Sequence, residues 1–243
     1  MCVTIYLILG RVGILQMKRI LALLLAVLMM FALVSCGDDG NVRGELSVNN
    51  RNNTVSDSAQ SQEEAGLEMG SNSNNTYENK FLGIGCKLDS SWTFLSDAEI
   101  RQANNITQDM VGDELASQLE SASIIYDMQA TNSNSSASII LNIEKLTTLT
   151  GAIMSEEEYV EQSVNGIVQG LESAGLTNVK ANKITVNFAG SSHAAIEVSG
   201  EVSGITVYEK VVCYKKGKYL AAVAFASYIE DTTDEMLSYF YAL

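Results

Sequence analysis

The chain has 243 residues, carries 15 Lys and Arg against 29 Asp and Glu, and has a net charge of −14. That balance excludes a protein built to grip a phosphate backbone, which needs a basic face, so no nucleic acid is expected as partner. A single histidine leaves little room for His-based catalysis or a multi-His metal site, and neither a metal nor a cofactor is expected.

The first element is an address. Met17-Lys18-Arg19 precedes an apolar run from Ile20 to Val34, and Ser35-Cys36-Gly37-Asp38-Asp39-Gly40 follows. A basic start, a short apolar stretch and a small-residue exit are the marks of a secretory signal peptide. The sixteen residues from Ile20 to Ser35 fall short of the ~20 that a spanning helix needs. Leu33-Val34-Ser35-Cys36 resembles the lipobox of bacterial lipoproteins. That resemblance implies cleavage before Cys36 and a diacylglyceryl group on its sulfur, hence a lipid-anchored protein on the extracytoplasmic face of the cell membrane. Residues 1–16 fit this scheme poorly. Either translation starts at Met17, or residues 3–35 form one longer apolar segment that places Arg11 at high cost in hydrocarbon. Cleavage removes Arg11, Lys18 and Arg19 but no acid, so the mature charge deepens from −14 to −17. Anionic headgroups repel such a surface, and the acyl chains must do the holding.

Residues 36–76 read as the lipidated Cys followed by a disordered polar linker. From Asn41 to Thr76 there are 36 residues, no aromatic and only eight apolar side chains. Such a segment cannot bury enough apolar surface to offset its conformational entropy. As a coil it would average about 30–36 Å end to end.

Residues 77–243 read as a single domain. Leu82, Ile84, Cys86 and Leu88 alternate as a strand, and Trp92 to Leu95 form another. Ser96 and Glu99 make a capping box for a short helix. A second helix follows with Val111, Leu115 and Leu119 on one side. Ile124–Ala130 and Ser138–Leu146 form a hairpin around the loop 131–136. Ser155 and Glu158 cap a helix that runs to about Ala174, buries Val160, Val164, Ile167, Val168 and Leu171, and ends at Gly175. Four strands succeed one another over about 179–188, 193–202, 205–214 and 218–228, with turns at Gly190-Ser191, Ser203-Gly204 and residues 215–218. Short connections make this an antiparallel meander. Asp231 to Leu243 reads as a last helix, with Thr232 and Glu235 as a third capping box and Met236, Leu237, Phe240 and Tyr241 as its anchors. The fold class is α+β, an antiparallel sheet packed with helices.

Tyr77-Glu78-Asn79-Lys80-Phe81-Leu82-Gly83-Ile84 leading to Trp92 resembles the opening of the PsbP-like superfamily, and the element order is similar over nearly all of 77–243. That group includes photosystem accessory subunits, Ran-binding proteins and many bacterial lipoproteins. Its members usually carry Pro and Gly before the Trp, where this chain has Ser90-Ser91. The resemblance implies an α/β/α sandwich and a non-enzymatic binding or accessory role, with no catalytic residue to carry over.

Candidate chemistry is sparse. Cys86 and Cys213 are in phase with core residues and form either one disulfide or two separate buried thiols, the latter being the expectation. His193 beside Ser191 and Ser192 invites a hydrolase reading, but no G-x-S-x-G elbow exists. It is expected to be a surface histidine at a strand start, sharing a face with Glu197 and Glu201. Three acidic clusters (Asp109, Asp113 and Glu114; Glu156 to Glu158; Asp231, Asp234 and Glu235) show no calcium-loop spacing, and the last two suit helix N-termini. Asn142 and Glu144, Thr185 and Asn187, and Glu197, Ser199 and Glu201 alternate with apolar neighbours and could together form one polar sheet face open to a basic partner or a cation. The reading is a lipid-anchored binding or accessory module with an envelope protein as possible partner. A carboxylate-based envelope hydrolase and a solute-binding lipoprotein are the alternatives.

Overall fold

The computed structural model describes residues 67–146 and 153–243. The segment expected to be a signal peptide, Cys36 and most of the expected linker lie outside the described residues. The described part contains eleven strands and four helices in two antiparallel sheets, an α+β fold. No described helix is long and apolar enough to cross a membrane.

The elements in chain order are β1 (Ser71–Ser73), β2 (Thr76–Asn79), β3 (Ile84–Lys87), β4 (Trp92–Phe94), α1 (Asp97–Ala103), α2 (Gly112–Ser121), β5 (Ile124–Asn132) and β6 (Ala137–Lys145). Then come α3 (Glu156–Ser173), β7 (Thr177–Phe188), β8 (Ser191–Val202), β9 (Ile205–Lys216), β10 (Tyr219–Tyr228), α4 (Thr233–Leu237) and β11 (Phe240–Ala242). The large sheet has the order β4-β5-β6-β10-β9-β8-β7, and the small one β1-β2-β3-β11. β10 lies beside β6 over nine residue pairs, from Tyr219 opposite Lys145 to Ser227 opposite Ala137, and so closes the meander onto the earlier hairpin.

Local chemistry explains most of these elements. Both capping boxes expected at Ser96 and Ser155 are formed: the Ser96 amide donates to Glu99 Oε2 at 2.8 Å and that of Ser155 to Glu158 Oε2 at 2.9 Å. Tight hairpins need two residues at positive φ, and Ala189-Gly190 (47° and 84°) and Ser203-Gly204 (53° and 77°) supply them. The first of these turns is therefore one residue earlier than expected.

The two faces of the large sheet bury different layers. Ile139, Leu141, Ile143, Ala221, Val223, Phe225 and Val212 meet the small sheet, where Tyr77, Leu82, Ile84, Cys86 and Phe240 are buried. The opposite face, with Ile140, Leu220, Val211, Ala194 and Ile196, takes α3 through Tyr159, Val160, Ile167 and Leu171. Burying each of these large side chains contributes ~1.5–3 kcal/mol. Val164 is only partly buried on α3, and Ser163 and Gly170 complete the inward stripe that the valines were expected to make.

Three expectations are corrected. The C-terminal segment is not one helix: α4 spans five residues, and Phe240, Tyr241 and Ala242 then pair with Cys86, Gly85 and Ile84. Thr232 makes no side-chain cap, because Asp231 Oδ1 accepts from the Thr233 amide at 3.0 Å and its hydroxyl at 2.6 Å instead. The folded unit also begins before Tyr77, since Leu67 is buried and β1 pairs with β2. Cys86 and Cys213 lie against opposite faces of the large sheet, in separate cores, so they cannot bond to each other; both are free. Burial pushes the Cys86 thiol up to about 12 and raises that of Cys213 further.

Candidate functional site

The expected polar face does not exist as one surface. Asn142 and Glu144 share the phase of Ile140 and face the α3 side, where they are buried at 4% and 8% exposure. Glu144 accepts a hydrogen bond from the Tyr159 hydroxyl at 2.6 Å, and burial raises its carboxyl. Asn142 Oδ1 has no partner among the described residues. Glu197, Ser199 and Glu201 share the phase of Ala195 and point to the other side, where Glu197 lies 3.5 Å from Lys210 Nζ. Thr185 and Asn187 are exposed on the edge strand β7. Alternation within a strand reports which residues share a side, whereas the register between strands decides which side that is.

Asp113 and Glu114, Glu156 to Glu158, and Asp234 and Glu235 occupy the first turns of α2, α3 and α4, where the helix dipole favours acids, while Asp109 and Asp231 lie just before them. Among the described residues, no group of three or more His, Cys, Asp or Glu could hold a metal ion.

His193 is not a surface residue. Its side chain is 11% exposed, with Nδ1 at 3.0 and 3.2 Å from the Glu156 carboxylate oxygens and Nε2 at 2.7 Å from Ser191 Oγ. The ring rests against Tyr214 and meets Phe188 edge to face, with centroids 4.9 and 6.1 Å away. Two strand residues and a helix residue 37 positions earlier thus meet in one chain of hydrogen bonds.

A second buried acid was not anticipated. Glu209 shares the phase of Val207, Val211 and Cys213, is 2% exposed, and its Oε1 has no hydrogen-bond partner among the described residues. Burial pushes its carboxyl up to about 8. The lone acid among alternating apolar residues was the sequence signal for it.

One concave feature lies between the small sheet and the pair α1–α2. It is a cleft of about 430 Å³, within the ~300–1,000 Å³ of small-molecule sites. Leu67, Met69, Ile100, Leu115, Ala116 and Leu119 form its apolar walls. Its floor is built on Asp127, which sits where the β5–β6 register shifts between Tyr126 and Met128. The bulge turns this carboxylate to the core, and three donors converge on it: the Gly70 amide at 2.9 Å, Asn79 Nδ2 at 2.7 Å and the Tyr77 hydroxyl. Burial raises the Asp127 carboxyl while those three donors pull the other way, and the Tyr77 phenol rises well above its ordinary range through burial and the adjacent charge. Gly70 is required here, because a Cβ would stand 2.4 Å from the Tyr77 ring. Asp127 thereby ties the segment before β1 to both sheets and sets the depth of the cleft.

The other wall is set by Arg101. Its Nη2 donates to the carbonyls of Thr107 and Met110 at 2.7 and 2.6 Å and draws the α1–α2 connection together. At the rim, Asn72 Nδ2 donates to Asp97 Oδ1 at 3.1 Å and to the Leu95 carbonyl at 2.9 Å. The lining brings no nucleophile and base together. It is a container with a polar rim.

No family model matches the chain, and no curated protein matches it. Solved structures do. PA94 from Pseudomonas aeruginosa, a protein of unknown function, is 10% identical, with a TM-score of 0.27 over 60% of this chain and 73% of that one. LpqN of Mycobacterium tuberculosis, described as involved in cell envelope biogenesis, is 12% identical, with a TM-score of 0.31 over 64% of this chain and 75% of that one. At these values neither likeness bears on what this chain does, and its chemistry rests on its own residues.

Proposed function

We propose that this protein is a lipid-anchored, extracytoplasmic binding module whose folded domain receives a small, largely apolar ligand in the cleft between the small sheet and α1–α2. Anchoring is supported by the basic start at Lys18-Arg19, the apolar run and the Leu33-Val34-Ser35-Cys36 box. Binding is supported above all by one observation: apolar walls enclose the cleft while the Asp127 carboxylate beneath it is engaged by three donors and so holds the container open. The accessory role follows if ligand occupancy is what an envelope partner senses.

Two measurements test this. Metabolic labelling with a palmitate analogue should tag the chain, and Cys36→Ala should abolish the tag and release the protein from membranes. Nile red, a neutral apolar probe, should bind the full chain with saturable blue-shifted emission, and Ala116→Trp should abolish that by filling the cleft. Nile red binding that survives Ala116→Trp would remove the cleft from the proposal, and a soluble, untagged wild type would remove the anchor.

A further inference from the structure

The hydrogen-bonded chain at His193 has a geometric origin. The ladder between β8 and β9 runs from Val202 opposite Ile205 to Ala195 opposite Val212 and stops there, although both strands continue. Glu156, the first residue of α3, enters the gap. Its Oε1 accepts from the Lys215 amide at 2.7 Å. The same carboxylate lies against His193 Nδ1. A carboxylate only accepts, so in the neutral ring Nδ1 carries the proton facing it and Nε2 keeps a lone pair. That lone pair faces Ser191 Oγ at 2.7 Å, on an exposed residue directly after the Ala189-Gly190 turn. His193 and Glu156 are 11% and 16% exposed, so the relay is sheltered behind an accessible hydroxyl. A nucleophile, a base and a group orienting the base is the general arrangement of an activated serine.

We propose that Ser191 is an acyl-accepting nucleophile, with His193 as its general base and Glu156 as the positioning residue, acting on small esters. The preceding turn also borders a shallow cleft of about 470 Å³, where Thr185, Asn187 and Asp234 stand among Val186, Leu237 and Phe240. In the first half, His193 Nε2 takes the Ser191 proton while Oγ bonds to the ester carbonyl carbon, whose π pair moves to oxygen. That pair returns, the C–O bond to the alcohol breaks, and the leaving oxygen takes the proton from Nε2. In the second half, water gives a proton to Nε2 and its oxygen bonds to the same carbon. Ser191 Oγ then leaves and regains the proton, so ester and water have become acid and alcohol. This activity lies outside the cleft at Asp127 and stands or falls independently of binding there.

The full chain, in its membranes, is treated with a fluorophosphonate probe, and the labelled peptide is identified. The expected result is a label on Ser191 that Ser191→Ala removes and Ser192→Ala retains. Glu156→Gln keeps an acceptor for the Lys215 amide but turns an N–H toward Nδ1, which forces the proton onto Nε2. Labelling and p-nitrophenyl butyrate hydrolysis should then fall by about 10²–10⁴-fold, with the loss in kcat and KM little changed. An unlabelled wild type, a label that survives Ser191→Ala, or a Glu156→Gln rate equal to wild type would each overturn the proposal. The relay would then serve only to bridge the open end of β8 and β9.

Discussion

Glu209 gives the most demanding test of how this fold is held. Its carboxyl is pushed from an ordinary 4.5 up to about 8 by burial alone. Between those values the folded chain keeps the proton and the unfolded chain releases it. Stability therefore falls as pH rises through that window, because the folded state binds more protons. Each pH unit is worth about 1.4 kcal/mol, so the cost reaches about 3 kcal/mol at pH 7 and about 5 kcal/mol above pH 8, where it levels off. Glu209→Gln places a neutral amide of the same size in the same site and removes the titration. Urea denaturation of the full chain at about pH 5, 7 and 8.5 should give nearly equal stabilities at the acid end. The variant should then gain about 3 and about 5 kcal/mol over wild type, and at the alkaline end its thermal midpoint should lie roughly 10 °C or more higher. Parallel pH curves for the two proteins would refute the reasoning, for they would mean that water or a donor reaches Glu209 in the folded state.

Three further outcomes are expected. Neither Cys86 nor Cys213 should react with a thiol reagent at neutral pH until the chain is unfolded, and reductant should leave the thermal midpoint unchanged, as judged by mass after alkylation. Gly70→Ala should destabilise by ~1–3 kcal/mol in denaturant titrations, because the Tyr77 ring is buried and its hydroxyl is held by Asp127, so it cannot yield to a new Cβ. Ser155→Ala should cost ~1 kcal/mol, whereas Thr232→Ala should stay within ~0.5 kcal/mol, since only Ser155 makes a side-chain cap.

What the sequence disclosed was local. The four-strand meander, the β5–β6 hairpin and α3 were legible because period, turn residues and capping boxes all act within a few positions. β1 and β2 were hidden because their support is distant: Asp127 lies 57 residues from Gly70 and 50 from Tyr77. The segment looks like a polar coil until that buried carboxylate arrives. At the C-terminus, Met236, Leu237, Phe240 and Tyr241 suit a helical stripe, yet Phe240 turns inward as a strand residue over Phe188 and Phe225. Tertiary pairing with β3 overrode a helical reading that propensity alone allowed. The site fared worst. The cleft depends on the bulge at Asp127 and on Arg101 closing a loop, and the polar face dissolved because parity does not say which side of a sheet a helix will cover. The relay at His193 needed Glu156, whose place in the open end of the ladder no spacing rule announces.

The order of the large sheet leaves β7 at its rim, with one flank of twelve residues' main-chain groups unpaired by any described strand. At ~3.4 Å per residue that is about 40 Å of open edge, long enough to template a strand from another copy. Two features of β7 work against such growth. Its register breaks between Thr177 and Lys180, which twists the rim, and Lys180 puts an ammonium group there, whereas Lys183 is paired with Glu161 at 3.2 Å. Stacking two such rims would bring like charges together, on a chain whose remaining charge is overwhelmingly acidic. The broken register and Lys180 are this rim's guard against fibre-like association.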